Sequence, residues 1–186
     1  FVRSIAETIR LAREQADGPM LTRCANMLNV NLGMKPLPGA TAALEHALLV
    51  LDHDDLATRA TALAGLACAA PACFAAERCE PLIAEAERLA RKADSALALL
   101  AALRAKLYLR GGPARRKEAE ETANELERLA LQNPTRMPVL PAQLSIHRAV
   151  IALQQGDPQA IHAALSHASA RCGSVREREL RWHSER

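Results

Sequence analysis

Apolar residues recur at helical spacing along almost the whole chain, and Gly, Pro and Asp separate the apolar stretches. Ile5, Ile9 and Ala12, for example, fall on one face of a first helix. The pattern predicts a helical protein whose elements are short and closely spaced. The predicted helices span 2–16, 20–30, 40–51, 56–70, 74–93, 95–110, 114–132, 138–155 and 158–171, with a last helix after Gly173-Ser174.

Capping residues mark several of the predicted helix starts. Asp54-Asp55 and Asp94 are N-cap candidates because a side-chain oxygen there can accept from the free backbone N–H groups of the first turn. Asp157-Pro158 is typical of an N-cap followed by the first helical residue. Pro81 either lies in the first turn of its helix or kinks it.

The spacing of the helix pairs predicts a repeat architecture. Pairs restart near Asp54, Asp94, Met137 and Ser174, at intervals of about 40 residues, the period of helical-hairpin repeats. We therefore predict an all-α fold. In detail, we expect an α-solenoid of antiparallel helix pairs in a tetratricopeptide-like right-handed superhelix.

Residues 1–186 are expected to form a single helical-repeat domain. Within it, residues 1–38 hold less typical N-terminal helices and residues 39–186 hold the helical-hairpin repeats. The chain starts without Met and its last predicted helix has no stop signal. We therefore expect it to be a fragment of a longer chain.

Composition narrows the fold class. Ala and Leu make up more than a third of the residues, 49% are hydrophobic, only 2% are aromatic, and the net charge is +3. Ala and Leu favour helices, which excludes an all-β fold, and the apolar fraction excludes a disordered chain. Small alanine side chains also let neighbouring helices approach closely.

No targeting signal is evident. No apolar run reaches the roughly 20 residues of a membrane span, and the start lacks the features of a signal peptide. The five cysteines form no CxxC pair, which favours free thiols in a reducing compartment. We expect a cytoplasmic protein without membrane association.

Three features are candidates for metal binding or DNA recognition, and each has a structural alternative. The segment 52–55 contains a His-Asp dipeptide found in metal-dependent phosphohydrolases, but the further His and distant Asp ligands are missing and a helix cap explains its acids. Cys68, Cys73 and Cys79 lack zinc-site spacing and suit an apolar core. Residues 20–34 resemble a helix-turn-helix that Gly and Pro would break. We predict no catalytic activity, cofactor or metal.

Charge is uneven around residues 104–117. This stretch carries six basic side chains, no acid occurs between Ser95 and Lys117, and glutamates follow at once. One interpretation is a solvated basic helix end followed by an acidic helix start, which suits both helix dipoles. The other is a basic patch for an acidic partner. Stacking aromatics are scarce, so we do not expect nucleic acid as a partner.

Several segments resemble a known class of regulator. The matching stretches are ALEHALLVL at 43–51, LATRA at 56–60, LAGLA at 63–67, AAER at 75–78, AEAERLARKAD at 84–94 and LYLRGGP at 107–113. They resemble the helical repeats of bacterial multidomain signal-transduction ATPases, which carry a nucleotide cyclase domain or a LuxR-type DNA-binding domain. Residues 149–168 are similar to a degraded tetratricopeptide hairpin. The resemblance covers about residues 43–173 and transfers no catalytic residue.

The resemblance implies a helical-repeat sensor or scaffold segment of a cytosolic ATPase-type signalling or transcription regulator. The alternative is a stand-alone tetratricopeptide-like adaptor that binds a peptide or protein in its concave groove. The partner is then a protein or peptide, such as an acidic one, or a flanking domain of the same chain. The first helix of each pair is expected to line the groove. The candidate partner-binding residues are Arg104, Lys106, Tyr108, Arg110, His147 and Arg148.

Overall fold

The computed structural model describes residues 2–31, 38–69, 76–110, 115–132 and 140–174. Its regular structure in these ranges is entirely helical, without a strand, which confirms the all-α prediction. Among the described helices, none has the combination of length and apolar character that a membrane span requires. The helices described are α1 (Val2–Glu14), α2 (Gly18–Asn31), α3 (Pro38–Val50), α4 (Leu56–Ala69), α5 (Ala76–Lys92), α6 (Ala96–Arg110), α7 (Arg116–Gln132), α8 (Leu140–Gln155) and α9 (Pro158–Ser174).

These bounds follow the sequence pattern closely, with two informative differences. Pro81 lies inside α5 beyond its first turn, so its missing N–H costs this helix one internal hydrogen bond. The helix predicted to end near Arg171 continues through Gly173 to Ser174. The last helix predicted after Ser174 lies outside the described residues.

The same kind of turn joins α1 to α2, α5 to α6 and α8 to α9. Ala16, Asp94 and Gly156 adopt the left-handed conformation in these turns, with φ of 51°, 48° and 66°. The N–H of the next residue donates to a carbonyl five positions earlier, as in a Schellman motif. These bonds join Asp17 N to Ala12 O at 2.9 Å, Ser95 N to Ala90 O at 3.2 Å and Asp157 N to Ala152 O at 3.1 Å.

The residue after each left-handed position caps the next helix. Asp157 Oδ1 accepts from Ala160 N at 2.9 Å, which confirms the predicted cap of α9.

The other predicted caps had different outcomes. Asp55 Oδ1 accepts from Thr58 N at 3.1 Å and caps α4, as predicted for the Asp54-Asp55 pair. The prediction of Asp94 as the cap of α6 is wrong. Asp94 is the left-handed residue of its turn, and Ser95 Oγ accepts from Ala98 N at 3.3 Å.

The described chain divides into two compact units, residues 1–109 and 110–186. In the first unit each helix from α1 to α4 contacts its successor, and α1 also contacts α3 as α2 contacts α4. Two clusters of buried alanine with one isoleucine or leucine each join α4, α5 and α6. Ala86 near the middle of α5 shares a cluster with Ala105 late in α6, whereas Ala90 near the end of α5 shares one with Ala98 early in α6. The helices α5 and α6 are therefore antiparallel.

In the second unit α8 contacts both α7 and α9. Gln155 Nε2 donates to Glu120 Oε1 at 3.1 Å, and Arg148 Nη2 donates to Asn124 Oδ1 at 3.0 Å. A late residue of α8 thus meets an early residue of α7, so these two helices are also antiparallel. The core of this unit again consists of small and aliphatic side chains, such as Leu126.

Candidate interaction surface

One side of α6 carries a stripe of four residues, Leu97, Ala101, Arg104 and Tyr108. Their spacing of i, i+4, i+7 and i+11 places them within one narrow arc of the helix. The leucine and the tyrosine are 39% and 42% exposed, whereas Ala101 and Arg104 are half-buried. We call this stripe the α6 face. On this face an apolar, a cationic and an aromatic side chain are all at least partly exposed to solvent.

Arg104 lies at the centre of the α6 face, near the thiol of Cys68 on α4. Burial lowers the pKa of the Arg104 guanidinium, because the charge loses part of its hydration. Burial also raises the pKa of the Cys68 thiol to about 11, so the thiol is neutral at physiological pH. In the described part of the chain, no residue forms a hydrogen bond or ion pair with this guanidinium. Arg104 is therefore a partly desolvated cation that the described residues of its unit do not neutralise.

Tyr108 follows Arg104 by one turn on the α6 face. Burial, together with the nearby Cys68, raises the pKa of its phenol, so the hydroxyl stays protonated well above neutral pH. A half-exposed tyrosine offers an apolar ring and a polar tip at once. It extends the apolar part of the α6 face beyond the cation.

Lys106 points away from the α6 face. Two positions along a helix are separated by about 200° of rotation, which puts Lys106 nearly opposite Arg104. Its Nζ lies 3.2 Å from Glu87 Oε2 on α5, and the two side chains are only 19% and 21% exposed. Burial raises the pKa of Glu87, but hydrogen bonds from Arg91 and Lys106 outweigh it and leave that pKa below its usual value. Lys106 thus takes part in an ion pair between α5 and α6.

The other predicted partner-binding residues, Arg110, His147 and Arg148, belong to the second unit. Arg148 Nη2 lies 2.5 Å from Glu127 Oε2 and also donates to Asn124. His147 is half-buried and takes part in an interaction of its own. The side chain of Arg110 lies outside the described residues.

The rest of the basic stretch meets acids at the start of α7. Arg116 Nε lies 3.2 Å from Glu120 Oε1, one turn along the helix. Arg115, Lys117, Glu118 and Glu121 line an open depression of about 340 Å³. This depression mixes both signs of charge at a helix start, where glutamates interact favourably with the dipole.

The residues that the sequence suggested as metal ligands form caps, turns or free thiols in the part of the chain that the structure describes. Asp55 is a helix cap, and Asp52 Oδ1 accepts from Asp54 N at 3.1 Å within the same turn. Cys24, Cys68 and Cys79 are free thiols, while Cys73 lies outside the described residues. Within the described ranges, no group of three or more His, Cys, Asp or Glu side chains is placed to hold a metal ion.

The sequence analysis did not find two residues that contact the predicted partner-binding residues. Glu87 precedes its partner Lys106 by 19 positions, and Cys68 precedes Arg104 by 36, so neither contact leaves a local pattern. The i, i+4, i+7, i+11 stripe on α6 could have been found from the sequence, because it depends only on helical periodicity.

Comparison of the chain with protein-family models, with curated proteins and with solved structures gives no match. The case for the α6 face as an interaction surface therefore depends on its geometry alone. A half-buried guanidinium, which no described residue neutralises, lies between exposed leucine and tyrosine side chains.

Proposed function

We propose that this chain is a helical-repeat protein-interaction segment, a sensor or scaffold region of a bacterial cytosolic ATPase-type signalling or transcription regulator. The observation that carries the interaction role is the α6 face. Tyrosine and arginine are enriched at the positions that dominate binding energy in protein interfaces. A leucine on the same stripe adds apolar area whose burial is favourable. The proposal assigns no catalytic role, cofactor or metal to the chain.

The proposed architecture is a tetratricopeptide-like right-handed superhelix of antiparallel helix pairs. The contacts of α1 with α3 and of α2 with α4 favour it, because stacked hairpins bring alternate helices side by side. The burial of alanine along α4 also favours it, since small side chains permit close helix crossings. Such an array can vary its exposed stripes without disturbing the core.

The proposed partner is a protein segment with acidic character. The resemblance of residues 43–173 to ATPase regulators favours a domain of the same polypeptide as that partner. The α6 face would serve equally in a stand-alone adaptor that binds a peptide from another protein. The regulator segment and the stand-alone adaptor would use the same surface. They differ in whether the partner segment belongs to the same polypeptide or to another protein.

Peptide binding to the α6 face tests the proposal. The purified chain is titrated with short acidic helical peptides that contain leucines, and with peptides in which lysines replace the acids. The double variant Leu97→Ser/Tyr108→Ala should lose binding of the acidic peptides, whereas Leu49→Ser, at a position 83% exposed on α3, should keep it. Equal binding by the double variant with unchanged circular dichroism would contradict the proposal.

The same double variant separates the two settings. In the full-length protein, raised unstimulated activity would indicate that a domain of the same chain occupies the α6 face. Unchanged activity together with lost peptide binding would favour the adaptor.

A further inference from the structure

Three basic residues among the predicted partner-binding residues have described side chains, and only two of them are paired with an acid. Lys106 pairs with Glu87 at 3.2 Å, and Arg148 pairs with Glu127 at 2.5 Å. Arg104 has no such partner among the described residues, although it is half-buried. A partly desolvated charge without a counter-charge is unfavourable, so an incoming anion gains more here than at an exposed arginine.

We propose that Arg104 is a carboxylate-binding residue, which accepts one Asp or Glu side chain of the partner segment at the centre of the α6 face. This inference rests on the proposed function and names the chemistry that the surface selects. The guanidinium presents a planar fork of N–H donors that matches a carboxylate in a bidentate geometry.

A carboxylate fits this position better than a phosphate. Arg104 contributes a single positive charge, and its neighbours Cys68 and Tyr108 are neutral at physiological pH. Lys106 is turned to the opposite side of α6 and is neutralised by Glu87. A carboxylate monoanion would balance the charge of Arg104, whereas a phosphate dianion would leave an uncompensated negative charge in a partly buried place.

The stripe also sets the distance between the carboxylate and the apolar part of the partner. Leu97 and Arg104 are seven residues apart, which is about 10 Å along a helix axis. Tyr108 lies about 6 Å beyond Arg104 in the other direction. A partner helix lying along α6 would therefore carry an acid and a leucine seven positions apart.

A double-mutant cycle tests the assignment. The probes are three synthetic helical peptides that carry a leucine and, seven positions away, Glu, Gln or phosphoserine; affinities are measured by calorimetry. With the unaltered chain, replacing Glu by Gln should weaken binding by about tenfold or more, the loss typical of a charge-assisted hydrogen bond. With Arg104→Gln, the Glu and Gln peptides should bind alike. Arg88→Gln is the matched control, because Arg88 is an exposed arginine on α5 that is paired with Glu85 at 2.7 Å.

Two outcomes would overturn the assignment. One is an equal loss on Glu-to-Gln replacement in the unaltered chain and in Arg104→Gln. The other is tighter binding of the phosphoserine peptide, which would indicate a phosphate site. Circular dichroism checks that Arg104→Gln is folded. If Arg104→Gln is not folded, Arg104→Lys is used in its place. Lysine keeps the positive charge but lacks the planar fork of donors, so this variant should weaken the binding of the Glu peptide only. Equal weakening of the binding of the Glu and Gln peptides would contradict the assignment.

Titration with acetate separates this inference from the proposed function. A saturable shift of the Arg104 Nε resonance with acetate, without any peptide binding, would support the carboxylate site and contradict the wider surface. Peptide binding that is insensitive to Arg104→Gln would support the surface and contradict the carboxylate site. Absence of both signals contradicts both.

Discussion

The carboxamide of Asn26 fills the space beside Gly65 where α2 meets α4. A Cβ added to Gly65 would lie 1.9 Å from Asn26 Oδ1, while Asn26 Nδ2 donates to Thr61 O at 3.3 Å. The amide therefore uses the space that a missing side chain leaves and ties the two helices together. Glycine at this position is required by the contact with α2, because its own helix would favour alanine.

Gly65→Ala should destabilise the first unit. We expect the free energy of unfolding in urea to fall by about 1–3 kcal/mol, the usual cost of overpacking a core. Gly39→Ala is the matched control and should be neutral or slightly stabilising. Among the described residues, no atom beyond its chain neighbours and its own helix backbone lies within 4 Å of a Cβ added there. The double variant Asn26→Ala/Gly65→Ala should recover part of the loss. A Gly65→Ala protein as stable as the parent would contradict this contact.

The left-handed residues of the three similar turns should respond oppositely to glycine and alanine. Gly156→Ala introduces a side chain at φ 66° and should cost about 1 kcal/mol. Asp94→Gly, at φ 48°, should raise the melting temperature because glycine adopts this conformation without strain. Thermal unfolding followed by circular dichroism measures both changes. A lower melting temperature for Asp94→Gly would indicate that the aspartate side chain, rather than the backbone, stabilises that turn.

Neighbouring acids at the start of α4 should differ in their effect on stability. Asp55→Ala removes the acceptor for Thr58 N and should cost about 1 kcal/mol, as for other N-caps. Asp54→Ala, one position earlier at an exposed site, should change the free energy of unfolding by less than about 0.5 kcal/mol. Equal effects of the two substitutions would contradict the capping assignment. Urea titration of both variants provides the comparison.

The ion pair of Glu87 should make stability depend on pH. Because the pKa of Glu87 is below its usual value of 4.5, the folded state holds its proton less tightly than the unfolded state. The stabilisation is then complete above about pH 4.5 and is lost as pH falls through the lowered pKa. Glu87→Gln should be less stable than the parent at neutral pH, by on the order of 1 kcal/mol, and the difference should vanish in acid.

Salt separates this partly buried pair from exposed pairs. Glu7→Gln breaks an exposed contact with Arg10, and high salt should abolish its effect on stability. The effect of Glu87→Gln should persist in high salt, since Glu87 and Lys106 are only 21% and 19% exposed. An effect of Glu87→Gln that grew on acidification would contradict the direction of its pKa shift.

Much of the fold follows from the sequence because its determinants are local. Helix period, the Asp157-Pro158 start and the end of α1 before Asp17 depend on dihedral preferences and hydrogen bonds within a few residues. The cap of α6 shows the limit of such reasoning. Asp94 and Ser95 are both good caps, and the left-handed conformation that closes α5 decided which of them serves.

The sequence by itself determined that the protein is helical and where nearly all the described helices begin and end. It also determined the periodic α6 face, because a stripe on one helix depends only on the helical period. Tertiary structure alone decided which charges pair between helices, since Glu87 reaches Lys106 only when α5 packs antiparallel to α6. It likewise left Arg104 beside a neutral thiol and without an acid among the described residues. The partner of a charge between two helices depends on which helix faces it, and no local pattern in the chain contains that information.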